Sequence, residues 1–80
     1  MHAKEKPRYI HEIANEITQD WKNPYFGAKP YLNAMFSLRV ISDKYGMDSG
    51  HTVVSYFLAN AGTYRGEIAR RAKAELKSML

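Results

Sequence analysis

Two stretches of the chain hold the residue types most able to do chemistry. Asp48, Ser49 and His51 fall within four consecutive positions and offer the side chains of a nucleophilic triad. A triad needs its imidazole between the other two groups, a serine on a structured turn and an oxyanion hole. A single short turn supplies none of these. A polar residue just ahead of an apolar run is instead a helix N-cap signal, so capping by Asp48 or Ser49 is the expected role. Asp43 and Asp48 flank Gly46, but the alternating oxygen ligands and distal glutamate of a calcium loop are missing. His2, His11 and His51 contain no i, i+4 pair, and there is no cysteine, so no metal site is expected. No glycine-rich phosphate loop follows a strand. No paired carboxylates sit on an apolar face with a reason for a raised pKa. The reading is non-enzymatic, with no cofactor.

The second stretch is basic. Arg70, Lys73 and Lys77 recur at i, i+3 and i+7, with Arg65 just ahead of them. On a helix these cations form one strip. Two helices joined at Gly62 would make a helix-turn-helix, with Arg65, Arg70, Lys73 and Lys77 as candidate nucleic-acid contacts. Such contacts fall mostly on phosphate and fix position more than sequence. Two features oppose that docking geometry. Leu58 stands where a close helix crossing prefers a small residue, and Arg71 is expected to pair locally with Glu67 and Glu75. The competing reading is protein binding. Tyr25, Tyr56 and Tyr64 lie off or at the edge of the apolar stripes, and tyrosine and arginine dominate interface hot spots. Tyr56, Tyr64 and Arg65 are expected to form one candidate protein-binding patch across a turn.

Charge and composition bound these readings. The 80 residues carry 12 Lys+Arg against 8 Asp+Glu, a net charge of +4. Residues 1–8 contribute +2, residues 9–63 contribute −1 and residues 64–80 contribute +3. Both ends are basic, and the field is smaller than that of a dedicated nucleic-acid binder. Apolar residues at 45% and charged residues at 25% describe a folded domain, not a disordered chain. There is room for one small domain. No run of about 18 apolar residues exists to span a membrane. The charged start, Met1 to Arg8, has no apolar core behind it as a secretory signal would, so the cytoplasm is the expected location.

Four segments repeat apolar residues at helical spacing. Ile10, Ile13, Ala14, Ile17 and Trp21 predict a first helix over 8–22, opened by Pro7 and closed by Asn23-Pro24. Tyr25 and Phe26, in the 23–29 connector, are expected to fold back as a plug on the core. Pro30 opens a second helix, whose residues Tyr31, Leu32, Met35, Phe36, Leu38, Val40, Ile41 and Tyr45 cover most of its circumference. That pattern predicts a central helix ending at a C′ glycine, Gly46. Val53, Val54, Phe57, Leu58 and Ala61 predict a third helix over 49–61. Ile68, Ala69, Ala72, Leu76 and Met79 predict a fourth over 64–79, capped by Thr63, with Gly66 in its first turn. No strand is expected. The fold class is all-α: one domain over 1–80, a compact, irregular four-helix bundle, with residues 1–7 as a flexible basic arm.

The run Asp20-Trp21-Lys22-Asn23-Pro24-Tyr25-Phe26-Gly27-Ala28-Lys29-Pro30-Tyr31-Leu32-Asn33-Ala34-Met35, with the later Tyr45-Gly46-Met47-Asp48 and Tyr64-Arg65-Gly66-Glu67, resembles small open reading frames of bacteriophages and of integrative elements of Gram-positive bacteria. The resemblance covers roughly residues 10–77. It implies an intracellular accessory protein of a mobile element that acts by binding. It carries over no catalytic residue, and it implies that Trp21, Tyr31 and Met35 are signature positions of the fold. The expected function is therefore a non-catalytic accessory binding protein acting through a protein partner or self-association. The alternative is a small DNA-binding protein using the basic helix 64–79.

Overall fold

The computed structural model describes residues 8–80. The expected basic arm 1–7, with Pro7, lies outside the described residues. The chain is mostly helical, in the order α1 (Ile10–Asp20), α2 (Lys29–Met35), β1 (Lys44–Tyr45), β2 (Asp48–Ser49), α3 (Gly50–Ala59) and α4 (Glu67–Ser78). The helices α1, α3 and α4 bury most of the stripe that their spacing implies, while Trp21, Leu58, Ile68 and Met79 are only partly buried. Ile10, Ile13, Ala14 and Ile17 of α1 meet Leu32 and Met35 of α2, Val53, Val54 and Phe57 of α3, and Ala69, Ala72 and Leu76 of α4 in one core. The helix pairs in contact are α1 with α2 and α4, and α3 with α2 and α4. Among the described residues, no helix is long and apolar enough to cross a membrane.

The expectations for the second helix and for the absence of strands are overturned. The helix runs only over Lys29–Met35 and is followed by a bend and an antiparallel hairpin, Lys44 opposite Ser49 and Tyr45 opposite Asp48. The cause lies in hydrogen bonding beyond periodicity. The Asp43 carboxylate accepts the backbone N–H groups of Arg39 at 2.8 Å and Val40 at 3.2 Å. A side-chain acceptor of this kind competes directly with helical carbonyls. The carbonyls of Arg39 and Leu38 then accept the first-turn N–H groups of α1, from Ile10 at 2.9 Å and His11 at 3.0 Å. Those two donors have no partner within their own helix. The bend therefore completes α1, and the apolar run splits. Leu38 stays in the core, while Phe36, Val40 and Tyr45 are exposed.

Gly46 closes the hairpin instead of ending a helix. It alone among the turn residues has positive φ, +61°, as a turn opened by glycine in a two-residue hairpin requires. Ser49 caps α3 as expected: its Oγ accepts the Thr52 N–H at 3.1 Å and donates to Thr52 Oγ1 at 3.1 Å. The helix α4 starts later than its apolar pattern suggests. Its N-cap is Gly66, at φ +115°, and not Thr63. The conformation at Gly66 breaks the chain direction, so residues 60–66 form a connector between α3 and α4. The proposed aromatic plug is also overturned. Phe26 is 76% exposed and Tyr25 45% exposed, their rings resting on each other at 4.9 Å.

Candidate functional site

The late start of α4 leaves a shallow groove of about 750 Å³ beside it. Its walls are the 62–66 part of the connector and one face of α4. Its lining includes the small residues Gly62, Gly66, Ala74 and Ser78. The charged lining consists of Arg65, Arg70, Lys73 and Lys77, with no carboxylate among the lining residues. These are the four cations singled out as nucleic-acid contacts. The helix supplies three of them on one strip, and the connector folds Arg65 in beside them. Arg70 and Lys77 lie about 10 Å apart along the helix axis, from seven residues at ~1.5 Å each.

The opposite flank of α4 is neutralised. Arg71 does not join the expected ladder with Glu67 and Glu75. Its guanidinium reaches across to Glu16 of α1 at 3.0 Å, and Glu16 also pairs with Arg8 at 2.8 Å. Glu75 accepts from two guanidinium nitrogens of Arg8, Nε and Nη2, the Nε contact being 3.1 Å. The local i, i+4 spacing is outcompeted because α1 and Arg8 bring opposite charges onto that side. One helix thus carries a neutralised flank against α1 and a cationic flank on the groove.

Lys73 shows the electrostatic state of the groove. Its ammonium donates to the Ala61 carbonyl at 2.8 Å and lies 5.8 Å from the centre of the Tyr64 ring. Burial, followed by repulsion from Arg65 and Lys77, pulls its pKa below the ordinary lysine value. An anion seated between these groups would relieve that repulsion.

The tyrosine patch does not form as expected. Tyr64 is only 2% exposed, because the connector turns it inward before α4 begins. Its ring stacks on Trp21 with centroids 4.8 Å apart and planes at 16°, and its hydroxyl donates to Asp20 Oδ2 at 2.8 Å. Burial, and then the bond to Asp20, raise the Tyr64 pKa above the usual phenol value. Arg65 faces the groove. Tyr56 is exposed at 53%, its ring 5.4 Å from that of Tyr31, and Tyr25 is exposed beside Phe26 as described. Periodicity gave no sign of the Trp21–Tyr64–Asp20 unit, whose members are 44 positions apart for the hydrogen bond. The small groove-lining residues carried no signal either. Ser49 is engaged with Thr52 rather than His51, and no group of three or more metal-ligating side chains occurs among the described residues.

No family model matches the chain, and no curated protein or solved structure is significantly similar to it.

Proposed function

We propose that the protein is a non-catalytic binding protein that holds nucleic acid by its backbone phosphates, in the groove between the 62–66 connector and α4. The observation that carries this reading is the sorting of charge on α4. Arg65, Arg70, Lys73 and Lys77 share a concavity lined by no carboxylate, while Arg71 and Glu75 are satisfied on the other flank. The small lining residues allow a phosphate close approach, and both residue types suit it, arginine through its planar fork and lysine as a point charge. The helix-turn-helix form of this idea is set aside. The 60–66 connector is longer than that motif's turn of roughly three or four residues.

Four phosphate contacts set the salt dependence. The slope of log affinity on log salt is about −3.6 for a duplex and about −2.8 for a single strand. Raising salt from about 50 to 200 mM then weakens binding by about 50- to 150-fold. The test is a salt titration of oligonucleotide binding for the native chain and for the Arg70→Glu/Lys73→Glu variant. The native chain follows these slopes, and the variant loses binding at low salt. Lys44→Glu serves as a control. It lies on β1, at the other end of α3, about 15 Å away by helix rise, and changes affinity little. Equal loss from both variants would refute a localised site.

A second reading, binding of a protein partner or self-association, is favoured by the exposed Tyr56 ring against Tyr31. In either case the chain acts as a cytoplasmic accessory protein of a phage or mobile element, its four helices working as one irregular bundle. The resemblance of residues 10–77 supports that setting.

A further inference from the structure

We infer that the nucleic acid is single-stranded, with its phosphates in the basic groove and its unpaired bases stacking on the exposed Tyr25–Phe26 ring pair. This rests on the phosphate-binding reading above and adds the part of the strand which that reading leaves unbound. Phe26 is the most exposed ring in the described chain, at 76%, and its neighbour Tyr25 is held in place. A side chain at Gly27 would stand 2.6 Å from Tyr25 Cε2 and 2.9 Å from Asn60 Oδ1. The glycine therefore lets the Tyr25 ring and the Asn60 side chain close over the backbone. The turn is further tied by the Ala28 N–H to the Tyr25 carbonyl at 2.8 Å.

The ring pair and the groove share one short piece of chain. Asn60 flanks Gly27 on the ring side, the Ala61 carbonyl accepts the Lys73 ammonium, and Gly62 lines the groove. Cations that follow the backbone together with rings that accept bases are the two parts of a single-strand site. The groove's own ring cannot serve as the stacking platform. Tyr64 is buried, with Trp21 stacked on it and the Lys73 ammonium near its ring. A duplex keeps its bases stacked internally and offers nothing to Phe26. A single strand exposes base faces to it.

Labelled oligothymidylate, oligouridylate and a hairpin duplex of equal length, closed by a non-nucleotide linker so that no base is unpaired, test this when titrated by fluorescence anisotropy at low salt. The expected result is tighter binding of the single strands than of the hairpin. The two homopolymers show whether DNA or RNA is the tighter strand. Phe26→Ala weakens single-strand binding by about five- to 150-fold, the equivalent of one base stack. It leaves hairpin binding unchanged, and Phe26→Trp restores the loss. Because Phe26 lies outside the core, helical circular dichroism stays native in both variants. Preference for the hairpin, or single-strand binding unaffected by Phe26→Ala while Arg70→Glu/Lys73→Glu still abolishes it, overturns this inference and leaves the phosphate groove standing. If Phe26→Ala dissolves a dimer in sedimentation without changing oligonucleotide affinity, the rings belong to a protein interface and the inference falls. No binding of any oligonucleotide by the native chain removes both readings.

Discussion

Replacing Tyr64 tests the joint between the core and the groove. The ring is buried against Trp21, and its hydroxyl is bonded to Asp20. Truncation to alanine belongs with large aromatic-to-alanine core changes, at about 3–5 kcal/mol. The lost stack on Trp21, about 0.5–1.5 kcal/mol, is one part of that cost. A domain of this length has a total stability of about 4–12 kcal/mol, so Tyr64→Ala removes a large share of it. Tyr64→Phe keeps the ring and loses one hydrogen bond to an exposed carboxylate, about 1 kcal/mol, which lowers Tm by about 4–8 °C. Tyr56→Ala removes a ring that is more than half exposed and costs about 1 kcal/mol. Urea unfolding followed by circular dichroism measures all three. Trp21, the single tryptophan, reports the stack by its emission. Tyr64→Ala costing no more than Tyr56→Ala would refute the reasoning. The pH dependence has a definite sign. The folded-state pKa of Tyr64 is raised above the ordinary value of about 10. Its contribution is therefore full below about pH 10 and is lost as pH rises through the folded-state value. The stability advantage of the native chain over Tyr64→Phe narrows only in that alkaline range.

Gly50→Ala destabilises the fold, although helix propensity alone favours alanine by up to about 1 kcal/mol. The new Cβ would meet the Ile41 carbonyl oxygen at 2.7 Å and that of Asp43 at 3.2 Å, a backbone clash expected to cost about 1–3 kcal/mol; a raised urea midpoint would contradict it. Asp43 is held below its ordinary pKa by the N–H groups of Arg39 and then Val40. Its contribution is present above about pH 4 and is lost as pH falls through the lower folded-state value. Asp43→Ala removes that part of the acid-side slope in stability measured against pH. Reversing Arg70 and Lys73 abolishes oligonucleotide binding and lowers stability by no more than the charged hydrogen bond from Lys73 to the Ala61 carbonyl, about 1.5–3 kcal/mol; complete loss of the fold in that variant would refute the separation of groove from core.

Much of the fold was legible in residue spacing. Of the stripes predicted for α1 and α4, Ile10, Ile13, Ala14, Ile17, Ala69, Ala72 and Leu76 are buried as their recurrence demands, Trp21, Ile68 and Met79 only partly so, and Ser49 caps α3 as its position implies. The second apolar run misled because both a helix and a bend with a hairpin can hold Leu32, Met35 and Leu38 in the core. The choice between them was made by the Asp43 carboxylate and by two N–H donors at the start of α1. Three of the four groove cations, Arg70, Lys73 and Lys77, were legible as a strip. Their enclosure was not, because it depends on Gly66 delaying α4 and turning Arg65 toward the strip.

What this amino-acid order determines by itself is therefore local: which positions of three helices face inward, where one helix is capped, and which cations share a helix flank. These follow from backbone geometry repeating every few residues. Tertiary structure alone decided the fate of groups whose partners lie far along the chain. Tyr64 is buried because Trp21 and Asp20 arrive from α1. Arg71 is neutralised because Glu16 faces it across the α1–α4 contact. Arg70, one residue away and about 100° around the helix, keeps its charge for the groove. Periodicity describes a face of a helix, but only packing brings up the neighbour that satisfies it.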